Sequence, residues 1–540
     1  MKLSSSLKLG AVAIASVALL AACGSNSSDS GSNKQVLNWA ETANLPTMDP
    51  SKSVDNVSAR TLNNVDEGLL KTGSGNKVRP ATAKSYSVSK DGLTWTFNLR
   101  KTNWSNGDPV TAQDFVYGWQ RTAKPSTASQ YAYLLDHVKN FDAVNKGKMT
   151  PSKLGIRADG DDKVVVTLSK PQSYFKYIVG MSATYPQNKK VVEKYGSKFA
   201  ANAQSAVYNG PFKLTGWTGT NNKWTLVKND QYWDKKNVKL SKINFQVIND
   251  QQTWLSQYQS GKVDEIVLDG TQFKNFKNSK ELNKRALAST FYLDLNQQKQ
   301  AIFKNQKARR AISMAINKED FSKNVLADGA TVPKGLVSTG LASRDGKDFA
   351  DEAYVKAGTE YNLAQAKKLW SQALKATGKS SMTLNLVTDD SPAGKKASDY
   401  VQNALSKLPG LKIEANNVPF NVRLSRSTKG QFDVLVDGWI ADYPDPISFS
   451  SLLTSTNPYN YGHWKNSQYD TLVKNAEGKD ANDTGKRWND LVDAEKILMQ
   501  DQGIVPLYQK AQPQLLKSKV KGVEYFTTGA QFDFSHAYIK

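Results

Sequence analysis

Cysteine is almost missing from this chain: Cys23 is the single one in 540 residues. One thiol has no internal partner, so disulfides within the chain are excluded. Histidine is nearly as scarce. His137, His463 and His536 are widely spaced, and no second cysteine joins them, so a metal site is not expected. Apart from one N-terminal run, no apolar stretch approaches the roughly 18 residues that a membrane span needs. No G-x-S-x-G elbow is present. The paired acids Asp389-Asp390 and Asp442/Asp445 read as turn or surface residues, so an enzyme is not expected.

What is there is a long chain with the means to fold. It has 39% hydrophobic and 10% aromatic residues, and its length exceeds one ordinary core, so about two to four domains are expected. The formal net charge is +23. The lysines are scattered singly rather than massed in one arm, which speaks for solubility or attraction to anionic envelope polymers and against a nucleic-acid partner.

Residues 1–22 read as a leader. Lys2 and Lys8 precede Leu9 to Ala22, an apolar run of the length of a signal core. Leu20-Ala21-Ala22-Cys23-Gly24 is similar to a bacterial lipoprotein box, which implies acylation of the Cys23 thiol and cleavage before it. Residues 23–34, rich in Ser, Gly and Asn, cannot bury apolar surface and read as a flexible tether. Two acyl chains would hold a soluble domain at a membrane surface.

Phe432 to Phe449, FDVLVDGWIADYPDPISF, is the most informative stretch. Phe432, Val434 and Val436 alternate with Asp433, Leu435 and Asp437, a rough strand period. Gly438 permits close backbone approach, Trp439 offers a broad ring, Asp442 a lone carboxylate, and Pro444 and Pro446 end any ladder. Read alone, this fits a buried strand followed by a proline-rich loop with a solvated acid. It also fits a grip on an extended peptide: strand edge for backbone, ring for side chain, acid for α-ammonium.

Strands and helices alternate along the rest of the chain. Leu93, Trp95, Phe97 and Leu99 face one way on a strand, and Thr111 with Asp114 opens a helix as a capping box. Leu363, Ala366, Trp370, Ala373 and Leu374 share one helix face. Further strands are expected at Val36 to Ala40, Trp224 to Lys228, Phe291 to Leu295, Met382 to Thr388 and Ile504 to Tyr508.

Several longer motifs stand in a fixed order: TMDP at Thr47–Pro50, DGLTWTFNLRK at Asp91–Lys101, WSNGDPVTAQDFVYGWQR at Trp104–Arg121, NGPFKL at Asn209–Leu214, ARRAISMAINKEDF at Ala308–Phe321 and GWIADYPDP at Gly438–Pro446. Together they resemble the oligopeptide-binding lipoproteins of peptide ABC importers, the OppA-type extracellular solute-binding proteins of family 5, over roughly residues 35 to 540. The resemblance implies an α/β fold: a two-lobed, periplasmic-binding-protein-like clamp with a hinge (type II, cluster C) and an extra domain on lobe one. Lobe one would take residues 35–75, 205–288 and 505–540, the extra domain 76–204, and lobe two 289–504. The hinge would lie near Phe291–Leu295 and Ile504–Tyr508.

The resemblance also implies a ligand and a site. Asp442 matches the acid that pairs with a peptide's α-ammonium group, and Gly438, Trp439 and Ile440 match the segment whose backbone pairs with the ligand. Val54, Asp55 and Asn56 match the opposite wall, and Asn209, Tyr258 and Phe420 fall where the family has cleft residues. Val436 stands where some members carry a base for the peptide's carboxylate, which implies longer or open-ended peptides. The implied partners are an oligopeptide, an ABC permease and its ATPase subunits, with a lipid-anchored monomer on the extracytoplasmic face of the cell membrane and no cofactor. The same clamp holding a signalling peptide, muropeptide or sugar is the alternative.

Overall fold

The structure, a computed structural model, describes residues 35–540. The leader, Cys23 and the whole of the tether expected at 23–34 lie outside the described residues. Residues 35–540 form one compact unit.

Four sheets of three or more strands organise it. The first orders Val36–Glu41, Lys242–Val247, Lys223–Lys228 and Phe212–Thr215, the first pair parallel and the rest antiparallel. The second is an antiparallel sheet of Ala83–Val88, Thr94–Leu99, Lys163–Thr167 and Ile156–Ala158. Trp95, Phe97 and Leu99 point into its core as their alternation requires, and Tyr86 stacks over Trp95 and Phe97. Asp114 accepts the Thr111 N–H at 2.8 Å, closing the capping box of helix Ala112–Ala123. That helix drives Trp119 into the core, where its indole donates to the Thr184 carbonyl at 2.7 Å.

The third sheet is five-stranded and mixed, ordered Leu411–Val418, Met382–Asp389, Val434–Ile440, Ser289–Leu295, Val505–Tyr508. Helices Gln306–Ala315, Leu363–Ala376 and Pro392–Leu405 cover it with the faces that periodicity assigns them, Trp370 fully buried among them. The fourth sheet, Glu265–Val267, Ala511–Leu516 and Leu282–Ala286, adjoins the third. The chain passes between these two sheets twice, side by side, at 287–288 and at 509–510, and the Leu287 N–H donates to the Lys510 carbonyl at 3.2 Å. The whole is a two-lobed α/β clamp.

The central strand departs from its expected pattern. Sheet neighbours and helices cover both faces, so Phe432, Val434, Leu435 and Val436 are all buried, and so are Asp433 and Asp437. The acids are tolerated because each has partners, as a buried charge requires. Asp433 accepts from the Asn385 N–H, Gln300 and Lys299. Asp437 accepts from the Arg423 guanidinium at 2.5 Å. The alternation of acid and apolar residues therefore records paired buried charges, not a wet face.

Candidate functional site

The central strand ends at an open edge. Its antiparallel partner Ser289–Leu295 runs its full length, from Val434 opposite Leu295 to Ile440 opposite Ser289. On the other side, pairing with Met382–Asp389 stops at Leu435. The Ala441 N–H donates to the Ala288 carbonyl and the Asp433 carbonyl accepts from Asn296. This phase turns the odd-numbered backbone groups toward Ser289–Leu295. The N–H and C=O of Gly438 and Ile440 therefore face the unpaired edge, and both residues are half-buried there.

Gly438 is glycine for a steric reason. A Cβ on it would sit 2.5 Å from Cδ1 of Phe291, whose ring stacks on Tyr508 at 4.6 Å between centroids. Beyond the strand the loop is locked. The Asp442 N–H donates to Ser448 Oγ at 3.1 Å, and the Asp445 carboxylate takes both arms of Arg487 at 2.7 and 3.0 Å. Prolines 444 and 446 stiffen what lies between.

Asp442 projects from this loop with its carboxylate held by two hydroxyls: Tyr131 donates to one oxygen and Tyr133 to the other, each at 3.2 Å. Burial pushes the carboxyl up to about 6, and the two donors hold it from rising further. It is a half-buried acid with hydrogen-bond partners and no cation of its own among the described residues.

A cavity of about 340 Å³ opens between this loop and the segment around residues 53–63. Gly438, Trp439, Ile440 and Asp442 line it on one side and Val54, Asp55 and Asn56 on the other, with exposed Phe420 at the rim. Eight of the ten residues expected at a ligand site are thus brought together. Asp55 has a second occupation: its carboxylate caps helix Asn56–Val65, accepting from Val57 and Ser58 N–H at 3.0 and 2.8 Å.

Two expected residues are not brought there. Asn209 is fully buried, and its amide both donates to the Glu67 carbonyl and accepts from the Glu67 N–H, each at 2.9 Å. It pins a chain crossing. Tyr258 packs in a separate small core, its hydroxyl donating to Glu281 at 2.5 Å and its ring lying under Lys517. In both cases local satisfaction is complete, leaving no group for a ligand.

Other lining residues were not anticipated. Phe526, Thr528, Gly529 and Ala530 come from the C-terminal segment, and Tyr131, Tyr177 and Tyr185 from the stretch that follows the second sheet's first strands. A signal existed for Tyr131 and Tyr133 in the alternating tyrosines of QYAYLL, but it carries no address. Val436 lies in the aliphatic core and presents nothing to the cavity. Arg423, whose guanidinium packs over the Phe420 ring, is already bound to Asp437.

Comparison with known proteins gives a consistent result. The family model for bacterial extracellular solute-binding proteins, family 5, matches residues 77–461. The dipeptide-binding protein of Lactococcus lactis subsp. cremoris is 34% identical over 557 residues, covering 100% of both chains. The oligopeptide-binding protein OppA of Bacillus subtilis is 30% identical over 97% of each. The solved structure of Listeria monocytogenes OppA bound to peptide is 37% identical, with a TM-score of 0.82 over 94% of this chain and 99% of that one.

Proposed function

The chain belongs to family 5 of the bacterial extracellular solute-binding proteins, and from that membership we propose that it is the extracytoplasmic substrate-binding component of a peptide ABC importer. It captures oligopeptides between its lobes and delivers them to a membrane permease with its ATPase subunits. It binds and releases its ligand without chemistry on it.

The observation that carries this reading is the pairing of an open strand edge with an acid that has no counter-cation. Gly438 and Ile440 offer N–H and C=O groups to a peptide backbone, and each bond made contributes about 0.5–1.5 kcal/mol net. Backbone bonds do not read side chains, so they suit a broad ligand class. Asp442 adds polarity by accepting the α-ammonium group, which decides which end of the peptide lies there. Trp439 covers the chain, and the 54–56 segment closes over it from the other lobe. Asn209 and Tyr258 support the scaffold.

In this reading lobe one comprises 35–75, 205–288 and 509–540, the extra domain 76–204, and lobe two 289–508; the boundary expected at 505 moves to 509 because Val505–Tyr508 pairs with Ser289–Leu295 in the lobe-two sheet. Closure bends the two side-by-side crossings at 287–288 and 509–510 rather than the expected Phe291–Leu295 and Ile504–Tyr508, because those segments are strands paired inside one sheet. A diacylglycerol on Cys23 keeps a monomer at the cell membrane. Cys23→Ser is expected to move the protein from the membrane to the soluble fraction, and unchanged membrane retention would refute the anchor.

Native mass spectrometry of protein starting at Gly24, purified without refolding, tests the ligand class. A ladder of added masses that fragment as peptides supports it. Bare protein that takes up sugars but no member of a peptide mixture overturns it. With Val436 in place of a base, a tripeptide and its C-terminal amide are expected to bind within about threefold of each other, under 1 kcal/mol; a strict need for the free carboxylate would contradict the open-ended site.

A further inference from the structure

A second cavity, of about 450 Å³, meets the first at Asp442, sharing with it Trp439 and Tyr443. Its walls are aromatic: Tyr133, Tyr174, Tyr459 and the parallel stack of Tyr174 on Tyr443, 5.0 Å between centroids. Hydroxyls, the Gln172 and Asn457 amides and the unpartnered Trp439 indole N–H line it, and it holds two carboxylates besides Asp442. Asp136 and Glu477 face it from opposite elements, the 132–135 turn and helix Ser467–Glu477. Among the described residues neither carboxylate forms an ion pair with a lysine or arginine.

The local cations do not fill the gap. Exposed Lys170 is close enough to lower both acids without bonding to either. Arg487 is consumed by Asp445. His137, 3.8 Å from Asp136, is held neutral by burial, its pKa pushed down to about 3. Asp136, its side chain about half exposed, is pushed up to about 6 by partial burial and by Glu477, with Lys170 opposing; burial raises Glu477, with Lys170 and Arg487 opposing and Asp445 adding to it.

A third acceptor stands apart from the acids. Gln172 is 4% exposed and lines this cavity, and its Oε1 has no hydrogen-bond partner. A buried amide oxygen left unpaired is costly unless something donates to it. Two unpaired carboxylates, an unpaired amide oxygen and flat rings together call for a donor-rich cation. This negative cavity also sits in a chain of formal charge +23, so the long-range field gives cationic ligands no help and local contacts must supply the preference.

We propose that this cavity selects an arginine or lysine side chain at the first residue of the bound peptide. The inference rests on the peptide-binding reading above. With the α-ammonium on Asp442 and the backbone along the open edge in the first cavity, the first side chain is the group that reaches the second. There the cation lies between Asp136 and Glu477, its donors meet Gln172 Oε1, and its plane stacks on the tyrosines.

The test is calorimetric titration of the intact protein with tetrapeptides differing only at residue 1, arginine against citrulline, which keeps length and shape but carries no charge. The arginine peptide is expected to bind at least about tenfold tighter. Moving the exchange to residue 3 is expected to remove the difference, a control that needs no variant to fold. In Asp136→Asn/Glu477→Gln protein the ratio at residue 1 should fall to about twofold or less. Equal binding of arginine- and citrulline-first peptides overturns this inference while leaving peptide binding intact. A preference that persists in the double variant, or is equal at residue 3, assigns it elsewhere and overturns it too. Binding of neither peptide overturns both readings.

Discussion

Asp442 must be charged to hold an ammonium group, and burial works against that charge. The Tyr131 and Tyr133 hydroxyls offset the cost by donating to the carboxylate, which leaves its pKa at about 6. Two predictions belong to this residue. Asp442→Asn should weaken free-amine peptides by about 1.5–3 kcal/mol, the value of a charge-assisted hydrogen bond, and N-acetylated peptides much less; equal losses for both in calorimetry would refute the amine anchor. The second concerns pH. Pairing needs the carboxylate deprotonated and the α-amine protonated, so affinity should rise as pH passes about 6 and fall above about 8, where the amine titrates. Tyr131→Phe removes a donor that favours the charged form. The acidic limb should then shift to higher pH, and an unmoved limb in an affinity–pH series would deny Tyr131 that role.

At the scale of elements, the central strand shows how one glycine sets a site. Its open edge exists because Met382–Asp389 stops pairing at Leu435, and its approach to Ser289–Leu295 depends on Gly438 lying against the Phe291 ring. Gly438→Ala forces a methyl into a ring that Tyr508 pins from behind. A loss of about 1–3 kcal/mol is expected, the usual cost of overpacking, read by urea unfolding. Phe291→Leu in the same background should recover part of it by freeing space. Wild-type stability for Gly438→Ala would mean that the ring moves at no cost and that the glycine has another purpose.

At the scale of the molecule, the C-terminal segment returns to the start of the chain and lines the cavity through Phe526–Ala530. What ties it down is Asp533, fully buried and paired with Lys71 at 3.0 Å and Arg79 at 2.8 Å. Those cations and the Ser535 donors outweigh desolvation and hold its pKa at about 2. A carboxylate depressed in the folded state stabilises above its unfolded pKa of about 3.9 and loses that contribution as pH falls toward 2. Asp533→Asn should therefore cost about 3 kcal/mol at pH 7, the lower end for breaking a buried pair because Arg79 is one-third exposed. The gap between variant and wild type should narrow toward pH 2. A constant gap across that range would show that the loss is steric and not ionic.

Much of this was legible in the residues. Capping boxes, the Trp95–Leu99 alternation and the Leu363–Ala376 face depend on neighbours a few positions away, and the chain states those directly. The ordered motifs pointed to the family, and Gly438 to Asp442 marked one wall of the cavity, because strand, ring and acid are consecutive. What only the tertiary structure decided is which distant groups meet them. Tyr131 and Tyr133 lie some three hundred positions from Asp442, and Phe526 to Ala530 arrive from the chain's end; no periodicity encodes such meetings. Asn209 and Tyr258 have the residue types of cleft contacts, yet the fold gives their side-chain polar groups internal partners. Local spacing determines which element forms and which face it buries. Whether an acid meets a cation, two hydroxyls or an open cavity depends on packing between segments far apart in sequence.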